Sequence, residues 1–174
     1  MSTVTAVDLR SRFLAGMSRT ACTVNVVTTD GPAGRAGVTV SAMSSVSADT
    51  PAPTLLVCVH HLSPAAAAIR ANGRFCVNVL RDDQAPISDC FAGRIRPEGG
   101  DKFACAAWTT GESGSPRLVD ALVAFDCRIE SCQQVGTHLV FYGAVEAVEA
   151  TESGAPLIYA GRAYGTPQRL VARC

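Results

Sequence analysis

The chain has 174 residues, 48% of them hydrophobic, with fifteen basic and fifteen acidic side chains. That length holds one well-buried core and is short for two ordinary domains, so residues 1–174 read as a single domain. The balanced charge, with its arginines scattered rather than striped, leaves no excess to hold a polyanion, and nucleic acid is not an expected partner.

In chain order, Val4 to Ser18 carries Val7, Leu14 and Met17, with Phe13 alongside, near helical spacing. This predicts an amphipathic first helix that caps one end of the core. Ala21–Thr29 and Arg35–Ser41 are β-rich and flank turn chemistry at Asp30–Gly34, which predicts a hairpin with a five-residue connection. Beyond it, Ser41, Ala42, Ser44 and Ser45 offer hydroxyls and unobstructed backbone N–H groups, so the stretch reads as a loop suited to a flat, anionic ligand. A plain Ser-rich turn is the alternative.

Thr54–His61 is an apolar strand, after which Ser63 and Pro64 make an N-cap and first-turn pair for a helix stopped by Gly73. The N-terminus of that helix favours phosphate, although ordinary capping explains Ser63 equally well. Phe75–Leu80 is the next strand, Arg81–Phe91 a loop with a short helix, and Gly93–Lys102 a surface loop. Leu118–Glu130 and Leu139–Val148 are long β runs joined around Val135–His138, and Pro156–Ala160 leads to Arg162 and Tyr164. Strands with only short helices between them argue for a mainly β fold, an antiparallel barrel with a few peripheral helices.

The eight cysteines include no C-x-x-C pair, and Cys22, Cys58, Cys76 and Cys127 sit in apolar runs where thiols act as small hydrophobes. Free thiols are expected, with Cys174 the most exposed, and no Cys/His set has zinc spacing. The N-terminal segment carries Asp8 and no uninterrupted apolar run, so no membrane anchor or secretory signal is expected, and the cytoplasm is the expected location. The glycines at 31, 34 and 37 lack Rossmann spacing, and there is no Walker loop.

Five segments occur together: GVTVSAMSSVS from Gly37, FCVNVL from Phe75, DKF from Asp101, VGTH from Val135 running into FYGAVEAV, and LIYAGRAYG from Leu157. In this order they resemble the short-chain flavin reductases, the reductase components of two-component flavin monooxygenases. Two positions depart from that pattern: Thr137 stands where the family has an aspartate, and Ala52 separates Pro51 from Pro53.

The resemblance implies a Greek-key split β-barrel, usually a homodimer, that binds FAD or FMN and oxidises NADH, with NADPH also open. It implies that Thr39, Val40, Ser41 and Ala42 approach the flavin ring edge, and that Ser44, Ser45 and Ser63 serve the ribityl chain or phosphate. Arg94 or Lys102 would add charge at the phosphate, and Phe91 would flank the ring or adenosine unless it simply packs. His138 would sit at the nicotinamide, while Arg162 and Tyr164 would contact NADH or a neighbouring subunit. His60 and His61 read as structural. The implied activity is NAD(P)H:flavin reduction, with reduced flavin supplied to a partner monooxygenase or halogenase. The alternatives are a flavin storage or redox-sensing protein, and a pyridoxamine-phosphate oxidase-like enzyme.

Overall fold

The computed structural model describes residues 6–170. Helix α1 (Ala6–Met17) ends where the Ser18 and Thr20 hydroxyls donate to the carbonyls of Ala15 and Met17. Leu9 and Phe13 are 62% and 63% exposed, and Leu14 and Met17 are also uncovered, so this helix does not cap the core. Strand residues and a second helix already fill the interior, which leaves the apolar stripe of α1 no place in it.

Strands β1 (Cys22–Thr23), β2 (Asn25–Thr29), β3 (Ala36–Val40), β4 (Met43–Ser47) and β5 (Thr54–His60) follow. Then come α2 (Pro64–Asn72), β6 (Arg74–Val79), α3 (Ala85–Phe91) and a 3-10 turn at Lys102–Cys105. A small hairpin of β7 (Trp108–Thr110) and β8 (Pro116–Leu118) precedes the long ribbon of β9 (Val123–Val135) and β10 (His138–Ala150). The pair β11 (Ile158–Ala160) and β12 (Ala163–Gly165) closes the order.

The Ser-rich stretch is a strand and not a loop: Met43 lies opposite Val57 and Ser44 opposite Leu56. The ladder to β5 satisfies its backbone, and Ser44 and Ser45 remain exposed at the sheet edge. The β2–β3 connection spans six residues, Asp30 to Arg35, because Arg35 stays outside the ladder. The run from 118 to 130 is broken by a turn in which Asp120 takes φ 61°, so β8 and β9 are separate strands.

Seven strands form one antiparallel sheet in the order β3-β2-β6-β9-β10-β5-β4. Its two outer strands, β3 and β4, are consecutive in the chain and joined only by Ser41 and Ala42. Such a link reaches about 10 Å, so the two edges of the sheet must meet. The sheet therefore curls into a barrel split at the β3–β4 corner, and register shifts in β10 at Tyr142/Gly143 and Val145/Ala147 help it bend.

Val27, Val57, Phe75, Val77 and Phe141 fill the barrel, with Ile69 of α2 packed among them. Burying each such side chain contributes about 1.5–3 kcal/mol. Helix α2 stops where the sequence predicts, at Gly73 in the left-handed region (φ 72°), whose N–H donates to the Ile69 carbonyl. A second cluster, including Val26, Leu80, Phe91 and Leu157, packs outside the barrel. All of β2 is buried for this reason, with Val27 in one cluster and Val26 in the other.

Gly37 lets α3 close on β3, since a Cβ there would lie 2.6 Å from Phe91 Cε1. The cysteines of the described residues are unbridged, with Cys76 and Cys127 buried in strands as expected; Cys174 lies outside the described residues. No helix among the described residues is long and apolar enough to cross a membrane.

Candidate functional site

Strand β3 connects two clefts. The first, of about 190 Å³, is lined by Thr39, Val40 and Ser41 together with Ser88, Arg94 and Tyr164. The Thr39 hydroxyl donates to the Ser88 carbonyl at 2.7 Å, which fixes α3 against the strand. Tyr164 Oη lies 2.9 Å from Ser88 Oγ and 2.7 Å from Asp89 Oδ1. Arg94 Nη1 donates to Tyr164 Oη at 3.2 Å and to Asp89 at 3.0 Å. Burial, and then the acidic neighbour Asp89, push the Tyr164 phenol above its ordinary value, so it stays neutral and keeps its proton to donate.

The second cleft, of about 280 Å³, is lined by Arg35, Gly37, Ser63, Pro64, Lys102 and Phe103 among others. Ser63 occupies the N-cap of α2 with extended backbone, but its hydroxyl makes no capping bond and remains available. Lys102 Nζ donates to the Phe91 carbonyl at 3.1 Å, which uses one of three donors and aims the ammonium beside the cleft. The Arg35 guanidinium sits 4.4 Å from the centre of the Phe103 ring and 3.2 Å from Asp101. Two cations, a free hydroxyl and the first turn of a nine-residue helix form a donor set that fits a phosphate, while the Asp101 carboxylate is held by Arg35.

A third feature lies beyond the turn from β5 into α2, where the Ser63 N–H donates to the His60 carbonyl at 2.9 Å. His138 opens β10 opposite His60, and its Nδ1 lies 3.1 Å from the Thr137 hydroxyl. Thr137 thus supplies a neutral partner to the ring. His60 and His61 are not isolated: the His60 ring stacks on His61 and meets His138 edge to face. Among the described residues, no group of His, Cys, Asp and Glu is arranged to hold a metal ion.

Residues 17–168 match the flavin reductase like domain. The chain belongs to the flavin reductase family. It is 48% identical over 157 residues to the FMN reductase (NADH) RutF 1 of Methylorubrum extorquens, covering 90% of this chain and 76% of that protein. Two solved structures share its fold. The nitrilotriacetate monooxygenase component B homolog of Mycobacterium thermoresistibile superposes with a TM-score of 0.84 at 28% identity, covering 97% of this chain and 93% of the other. BorF, the flavin reductase component of a bacterial two-component tryptophan halogenase, gives 0.80 at 31% identity, covering 91% and 99%.

In this flavin reductase, Thr39, Val40, Ser41 and Tyr164 share the first cleft, and Ser63 and Lys102 share the second. Ala42 is exposed at the corner, with its carbonyl bound to the Cys58 N–H at 3.0 Å. Ser44 and Ser45 line neither cleft. Phe91 is 1% exposed and wedged edge-on against Phe103 and Trp108, so its ring packs the core and presents no face to a ligand. Arg162 is exposed in the β11–β12 turn at φ 64° and also lines neither cleft. Local pattern does not mark Arg35, Ser88, Asp89 or Tyr159: packing of α3 and β11 brings Ser88 and Tyr159 into the first cleft and Asp89 onto Tyr164, while Arg35 enters the second cleft directly ahead of β3. The adjacency of His60 and His61 was legible; their meeting with His138 depends on strand register.

Proposed function

We propose that this chain is an NADH:FMN oxidoreductase that hands reduced flavin to a separate oxygenase or halogenase. One observation carries the reading: β3 runs from a cleft that holds Lys102 and the Arg35–Asp101 pair at a helix N-terminus to a polar cleft whose Arg94 is paired with Asp89, which matches a flavin phosphate at one end and a ring edge at the other. The preference for FMN and NADH is supported by the name of the Methylorubrum relative, and the partner by the two-component systems named for the solved structures. The setting is cytoplasmic.

When bound, the flavin supplies a ring whose N5 accepts hydride from the nicotinamide C4, so the protein needs no catalytic triad. Ser63 and Lys102 hold the phosphate, and the backbone of Thr39 to Ala42 meets the ring edge. Ser44 and Ser45 serve the open side of the corner. Arg162 and Tyr164 belong to the nicotinamide dinucleotide side. His138 donates a hydrogen bond to the carboxamide and keeps the nicotinamide in line for transfer.

The enzyme is a homodimer in this reading, supported by the uncovered Leu9, Phe13, Leu14 and Met17 of α1 and by Val46 on the edge strand. Light scattering is expected to give twice the chain mass. Mixed with NADH and excess FMN, the protein is expected to consume NADH far above a protein-free control, faster than with NADPH or FAD. Tight flavin binding without oxidation would instead indicate a flavin carrier.

The phosphate assignment has its own test. Lys102→Met is expected to weaken FMN about tenfold, the scale of one lost ion contact in a half-buried site. Riboflavin, which lacks the phosphate, should bind equally to both proteins by fluorescence titration. Equal losses for FMN and riboflavin would remove Lys102 from the phosphate.

A further inference from the structure

His60 and His138 are paired across β5 and β10, so both side chains leave the same face of the sheet. Their rings meet edge to face, with centroids 5.1 Å apart and planes at 76°. His61 stacks on His60 at 5.0 Å and 18°.

The hydrogen bonds assign the protons. The Leu62 N–H donates to His60 Nδ1 at 3.2 Å, so that nitrogen carries no proton. His61 Nδ1 lies 2.8 Å from the Thr137 carbonyl, which can only accept, so that nitrogen carries one. The His61 N–H donates to the same carbonyl at 3.0 Å, which ties the β5–α2 turn to the β9–β10 turn. Thr137 in turn reaches His138 Nδ1 through its hydroxyl. The contacts therefore close a circuit from His138 through Thr137, His61 and His60 back to His138.

We propose that His60, steadied by the His61 stack, is a positioning residue that holds the imidazole of His138 in one orientation for NADH. The neutral Thr137 hydroxyl fixes that ring at one nitrogen only, and the ring of His60 supplies the second restraint. The proposal rests on the reading of His138 given above.

The test compares His60→Ala, His60→Phe, His138→Ala and the double alanine variant. The readouts are kcat and KM for NADH, FMN affinity, and the His138 imidazole resonances of the flavin-free protein. His60→Ala is expected to lower kcat/KM for NADH about tenfold, the scale of a misplaced orienting group, with FMN affinity unchanged. His60→Phe should keep most activity, because it keeps the ring packing. The double variant should be no worse than His138→Ala, and the His138 resonances should move in His60→Ala before any flavin is added.

Additive losses, unmoved resonances, or a Phe variant as damaged as the Ala variant would overturn the proposal. Turnover lost in His138→Ala but intact in His60→Ala overturns it alone. Turnover intact in His138→Ala overturns the reading of His138 as well.

Discussion

Asn78→Leu is expected to destabilise the fold by about 3 kcal/mol, because it strands a buried donor and a buried acceptor at once. Asn78 is fully buried in β6, and its amide is used on both sides. Nδ2 donates to the Val26 carbonyl at 3.0 Å and to Thr28 Oγ1 at 3.2 Å, while Oδ1 accepts the Leu118 N–H at 2.7 Å. Thr28 Oγ1 bonds on to the Pro116 carbonyl at 2.5 Å. One side chain thus binds β6 to β2 and fastens the β7–β8 hairpin to the barrel.

Leucine has nearly the same volume but leaves the Leu118 N–H without its acceptor and the Val26 carbonyl without its extra donor. Urea unfolding should show a midpoint lower by about 1 M or more with little change in slope. A midpoint within about 0.2 M of the parent would mean that water replaces the amide, and the knot would then be no stability element.

The same residue shows where sequence reading stops. β-rich and apolar runs are enough to find β2, β5, β6 and β10, because each presents apolar residues to a core. It marked Phe75–Leu80 as a strand but gave no sign that Asn78 holds a hairpin contributed forty residues later in the chain. That hairpin was itself invisible: β7 and β8 have three residues each, too short for a period to register.

The spacing in α1 marks an apolar stripe, yet periodicity reports that a face is apolar and not what covers it. The small hydroxyl residues from Ser41 to Ser45 suggest a loop, whereas pairing of Met43–Ser47 with β5 decides the conformation. The site divides in the same way. Ser41 and Ser63 are legible from local chemistry and Thr39 and Val40 from the family resemblance, while the approach of Lys102 to Ser63 depends on how the 3-10 turn packs.

His138→Ala is expected to lower kcat/KM for NADH about a hundredfold while FMN affinity changes less than about threefold. The separation follows from the architecture. The candidate phosphate contacts lie on α2 and the 3-10 turn, and the ring-edge contacts on β3, whereas His138 comes from the first residue of β10. Its side chain is exposed and fills no core cavity, so alanine should leave thermal unfolding unchanged. His138→Asn, which keeps a donor, should recover part of the loss if the ring acts by hydrogen bonding, and none if it acts by taking up or releasing a proton.

The comparison with Thr137→Ala then separates orientation from chemistry. Removing that hydroxyl frees His138 Nδ1 but leaves the Thr137 carbonyl, the anchor of His61, in place. A smaller loss than in His138→Ala, appearing mainly in KM, is the expected result. FMN affinity that falls together with turnover in His138→Ala would move the histidine from the nicotinamide side to the flavin side of the site.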